Sequence, residues 1–127
     1  MQEKHLYEYA VIRVVPRVER EEFVNVGLIL FCKSAKLIKV RCALDHIKLQ
    51  ILDPELDLEQ LQLNLESFEK IGLGLKSGGP IAEFDVPSRF RWLTAIRSSV
   101  IQTSRPHPGM SVDLERDFNR LFTELVL

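Results

Sequence analysis

The stretch FVNVGLILFCKSAKLIKVRCA, residues 23–43, decides the fold. Its first ten residues are almost wholly apolar and rich in β-branched side chains, the composition of a strand. Residues 36–43 alternate apolar with basic, the period-two pattern of a half-buried strand. Only a short break around Ser34 and Ala35 separates the two runs, and so short a connection makes antiparallel neighbours. A turn closed there sets Cys32 opposite Leu37 and Gly27 opposite Cys42. Ile38 and Val40 then share a face with Ile29 and Phe31, while Lys39 and Arg41 share the other with Leu28 and Leu30. The earlier strand is apolar on both faces and therefore central and covered twice; the later one is half wet and nearer an edge. Gly27 within a strand marks a bulge or a close backbone approach. Cys32 and Cys42 are offset by about five residues along this ladder, roughly 16 Å at strand rise. A disulfide needs Cα atoms within about 7 Å, so both read as free thiols, which suits a reducing compartment.

Working outward, residues 6–15 (LYEYAVIRVV) form another strand, stopped by Pro16. Downstream the period changes. Residues 44–52 suit a short helix. A longer one starts at Asp53-Pro54-Glu55 or with Asp57 as its cap. Leu58, Leu61, Leu65 and Phe68 recur there at helical spacing, and Gly72 or Gly74 ends it. Residues 81–86 suit a short strand, Pro87 and Ser88 open a helical turn around Phe90 and Trp92, and residues 99–103 suit a strand. Residues 104–109 read as loop, because Pro106 and Pro108 lack a backbone donor. Asp113 caps a final helix with Leu114, Phe118, Leu121, Phe122 and Leu125 on one face. The expected fold is α+β: a mainly antiparallel sheet of three to five strands, helices packed on one face, and residues 1–127 as a single domain.

The totals bound the function. A chain of 127 residues, 46% apolar and with net charge −1, buries a core and carries no global field toward nucleic acid or membrane. No run of about 18 apolar residues occurs, so no membrane-spanning helix is expected. The opening residues mix charges, unlike a secretory signal, so a cytoplasmic location is expected.

Chemistry-bearing patterns are sparse. His5, His46, His107, Cys32 and Cys42 show none of the spacings of a metal site, so no metal and no cofactor are expected. No serine or cysteine stands in a nucleophile motif, and no catalytic residue is assigned. The acids between Asp53 and Glu69 read as a solvated helix face or as a docking face for a basic partner. Residues 87–112 carry Arg89, Arg91, Arg97, Arg105 and His107 without an acid, with Phe90 and Trp92 interleaved. That mixture fits a core tryptophan with paired arginines, a protein hot spot, or an anion or nucleic-acid contact. Arg13 interrupts the first strand on the face of Tyr7, Tyr9 and Val11. A charge there must reach solvent or a carboxylate, as an edge residue or a site residue.

Two blocks carry a family resemblance: YAVIRVVP at residues 9–16 with EFVNVGLILFC at 22–32, and RWLTAIRSSVIQ at 91–102. They resemble an uncharacterised bacterial family catalogued as a domain of unknown function (number 3037). Its members typically carry proline where this chain has Ile96, Thr103 and Arg105. The resemblance implies Asn25, Gly27, Arg91, Thr94, Arg97, Ser98 and Gln102 as family positions. It also implies an accessory role to a HipA-like kinase, whose genes often stand beside those of the family.

The reading is therefore a non-catalytic protein-interaction or accessory module, paired with a partner chain or with itself. Leu28, Leu30, Arg89 and Trp92 are its interface candidates. Arg13, Asn25, Arg91, Arg97, Ser98 and Gln102 are candidates for a ligand or an anion. The alternatives are a nucleotide- or nucleic-acid-binding module built on residues 89–105, and an enzyme assembled from Arg13, Asn25, Arg97 and His107.

Overall fold

The computed structural model describes residues 3–95 and 99–127. Strands β1 (His5–Val14), β2 (Val24–Cys32) and β3 (Leu37–Cys42) lead into helices α1 (His46–Leu52), α2 (Leu58–Leu73) and α3 (Val86–Leu93). Strands β4 (Ile101–Thr103) and β5 (His107–Ser111) and helix α4 (Leu114–Leu125) follow. The five strands make one antiparallel sheet in the order β3-β2-β1-β4, with β5 pairing the other half of β1 on the same edge. The fold is α+β.

The register of the β2–β3 hairpin is the one the side-chain pattern requires: Cys32 pairs with Leu37 and Gly27 with Cys42. Gly27 leaves room for the Cys42 thiol, since a Cβ on Gly27 would lie 2.9 Å from Cys42 Sγ. Both cysteines are free. Burial, then the nearby Glu69 carboxylate, pushes the Cys42 thiol pKa up, so this sulfur stays protonated and unreactive.

β2 is covered on both sides. One core packs Ile12, Val14, Val26 and Ile29 against Leu49 of α1, Leu61, Leu65 and Phe68 of α2, and Phe90 and Leu93 of α3. The other packs Tyr7, Val11, Leu28, Leu30 and Cys32 against Phe118, Leu121 and Phe122 of α4. The expectation that the helices share one face is corrected here, because α4 returns to the opposite side. Its apolar stripe begins beyond β5, which runs along the far edge of β1 and delivers the chain to the uncovered face. Burying each of its large apolar side chains contributes about 1.5–3 kcal/mol. Leu28 and Leu30 are thereby fully buried and have no surface to offer a partner, so they are withdrawn as interface residues. The basic residues of β3 also serve this core. Arg41 Cζ lies 4.3 Å from the Phe122 ring centroid and Lys39 Nζ lies 5.3 Å from that of Phe118, so the charged heads themselves stand over the two rings.

Two local expectations are corrected. Residues 81–86 are not a strand. Pro80–Glu83 is a 3-10 turn, and Asp85 then caps α3 by accepting from Ser88 N at 2.9 Å. Residues 107–109 do continue a strand. Pro108 pairs with Glu8 on β5, which is an edge strand where a missing donor is tolerated. Of the alternatives the sequence left open for α2, Asp57 and not Asp53 caps its start and Gly74 and not Gly72 ends it, while Asp113 caps α4 as expected. Among the described residues no helix is long and apolar enough to cross a membrane.

Candidate functional site

A bulge places the candidate site. Ile12 pairs with Gly27, but the next residue of β1, Arg13, pairs with Asn25, leaving Val26 extra. Bulges re-aim side chains. Here Val26 enters the α2-side core, completely buried, and Asn25 stands opposite Arg13 on the α4 side. Gln102 of β4 pairs with Arg13 from the other edge. Three residues distant in sequence thus form one polar row across β2, β1 and β4.

The row is unevenly satisfied. Asn25 Nδ2 donates to the Leu125 carbonyl at the end of α4, 3.0 Å away, and Gln102 Nε2 donates to the Ser99 carbonyl at 3.0 Å. Asn25 Oδ1 and Arg13 Nε are buried without a hydrogen-bond partner. The half-buried Arg13 guanidinium lies 4.2 Å from the centroid of the Phe23 ring, itself 46% exposed. Among the described residues no carboxylate stands within ion-pair distance of it. A guanidinium removed from water without a counter-ion is costly, and its stacking on Phe23 returns only part of that cost.

Helix α1 lies beside this row, between two clefts. Asn25 lines one of about 540 Å³ together with Asp45, Ile47, Lys48 and Leu127. Arg17, Arg20, Glu22, Ile51 and Asp53 line the other, of about 350 Å³. Ile47 and Ile51, one turn apart on α1, are 72% and 78% exposed. Sequence reasoning passed over this pair because α1 is short and its inward residue, Leu49, is known only once the helix is docked.

The remaining candidates lie elsewhere. Arg97 and Ser98 fall outside the described residues. Arg91 is exposed on α3, and its Nη2 donates to Ser88 Oγ at 3.2 Å. Arg89 and Trp92, also on α3, line different clefts, Arg89 beside Phe84 and Trp92 beside Asn64 and Ser99. His107 stacks on Tyr9 at 5.3 Å between ring centroids. Tyr9 is four residues from Arg13 along β1, roughly 13 Å at strand rise, so His107 does not join the Arg13 row. Among the described residues no three of His, Cys, Asp and Glu lie close enough to hold a metal.

No curated protein and no solved structure matches the chain. A family model does match, over residues 9–126, which include both the Arg13 row and the α1 surface. The chain belongs to the family described as "protein of unknown function (DUF3037)".

Proposed function

We propose that this chain is a non-catalytic, cytoplasmic protein-interaction module. Its contact surface is the end of the sheet that carries Arg13 and α1, and its first occupant is a second copy of the chain. The observation that carries this reading is Arg13, a half-buried guanidinium stacked on exposed Phe23 with no carboxylate of the described residues beside it. Arginine and aromatic residues lead interface hot spots because they gain most when a partner completes their surroundings.

Charge favours self-pairing. The two clefts around α1 present Arg17, Arg20 and Lys48 together with Glu22, Asp45 and Asp53. Arg20 is already paired with Glu22, and a patch carrying both signs offers the charges that a two-fold interface pairs across its axis. The exposed isoleucines supply its apolar centre. A HipA-like kinase, the partner class implied by the family resemblance, is the alternative occupant.

Sedimentation velocity over a range of concentrations tests the proposal. The wild-type chain should form a dimer, and the Ile47→Asp/Ile51→Asp variant should run as a monomer with an unchanged circular dichroism spectrum. A wild-type monomer at every concentration would overturn self-association. A complex formed only with the kinase would move the surface to that partner.

A further inference from the structure

About six residues along β2 from Asn25, roughly 20 Å at strand rise, Phe31 floors a different cleft, of about 530 Å³. It opens between the β2–β3 turn and the start of α3 and falls within the size range of small-molecule sites. Its walls are apolar. The Phe31 ring is stacked on Phe90 with centroids 4.7 Å apart, which fixes the floor, and Phe84 stands 48% exposed beside Pro87.

Its rim is basic. Lys33 and Lys36 rise from the turn, both exposed, and Arg89 reaches in from α3. Arg89 is held in place: Nη1 donates to the Ile71 carbonyl at 3.3 Å, and a Cβ on Gly74 would lie 2.3 Å from that nitrogen. Its Nε is buried and has no hydrogen-bond partner. Asp85 is the one acid of the lining, and its carboxylate is already committed to the start of α3, accepting from Ser88 N. Three cations thus face an apolar hollow with a single, occupied carboxylate.

We propose that this cleft binds a small organic carboxylate with an apolar body, its charge at Lys33, Lys36 and Arg89 and its body between Phe31 and Phe84. The lysine ammonium groups meet the carboxylate, and charge-assisted bonds of this kind are the stronger ones; the Arg89 guanidinium, held behind them on the Ile71 carbonyl, adds its positive field. The site is separate from the interaction surface and does not depend on it.

Isothermal titration calorimetry with octanoate, octanol and inorganic phosphate tests it. Octanoate should bind. Octanol should bind at least about tenfold more weakly, the discrimination expected from losing a charge-assisted hydrogen bond, and phosphate alone should give no comparable heat. The Lys33→Gln/Lys36→Asn variant should lose octanoate affinity by a similar factor while keeping its fold. Both positions are exposed, and asparagine tolerates the left-handed backbone of Lys36, φ 51°. No octanoate binding, equal affinity for octanol, phosphate binding as tight as octanoate, or an unaffected double variant would each overturn the proposal.

Discussion

Two arginines at opposite ends of β2 share one peculiarity, a buried Nε with no partner, and differ in everything else. Arg89 is built into the fold. Its guanidinium lies against Gly74 and donates to the Ile71 carbonyl at the end of α2, where a cation also meets the negative end of the helix dipole. Among the described residues Arg13 holds no such bond and rests on the Phe23 ring. A charge that completes a helix end is explained by the fold, whereas a half-buried charge with no polar partner points to something outside it.

Mutation can break this contrast. The largest effect is expected at Gly74, whose φ of 71° suits glycine and whose missing Cβ seats Arg89. Gly74→Val should destabilise the chain by about 2 kcal/mol, read as a lowered urea midpoint. Arg89→Met, which removes the bond to Ile71 O and the dipole contact, should cost about 1 kcal/mol in the same assay. Arg13→Met keeps a long apolar stem over Phe23 and removes an unpaired charge. Its unfolding free energy should stay within about 0.5 kcal/mol of wild type. A loss as large as that at Arg89 would place Arg13 in the scaffold and erase the contrast.

Asp117 supplies the opposite case, a buried charge fully served by its own chain. The Ser111 hydroxyl, with Arg116 and Arg120 adding attraction, holds its carboxyl below the usual carboxylate range. A depressed folded-state pKa stabilises above the unfolded value, about 3.9, and that contribution is lost as pH falls through the folded value. The gap in urea midpoint between wild type and Asp117→Asn should therefore be widest near neutral pH and shrink below about pH 4. The Arg116 and Arg120 side chains are 63% and 50% exposed, so solvent screens their attraction for Asp117, and this is the smallest of the expected effects.

How much of this was legible in the sequence follows from how local each feature is. The β2–β3 register, the central place of β2 and the caps Asp57, Gly74 and Asp113 depend on residues a few positions apart, and their patterns carry them. The strand expected at residues 81–86 failed because Asp85 and Pro87 start a helix there, a cap signal masked by a short apolar run. The burial of Leu28 and Leu30 was half legible: a strand apolar on both faces calls for cover on both, but the pattern does not say that α4 supplies the second. The face that α4 covers is settled by where β5 leaves the chain, after more than eighty residues of intervening sequence. The Arg13 row was half legible: the odd charge in β1 stood out, but its meeting with Asn25 and Gln102 depends on a bulge and on the β1–β4 pairing. The basic cleft at Phe31 and Phe84 was missed because its cations come from a turn and a helix some fifty residues apart.

On the proposed reading, Arg13 serves an interface and not the fold. The most direct test is sedimentation velocity of wild type and Arg13→Met from matched preparations, with thermal unfolding recorded on each. A wild-type dimer is expected, and an Arg13→Met monomer whose unfolding temperature matches that of wild type at a dilution where wild type is also monomeric. Identical sedimentation of the two proteins would contradict it.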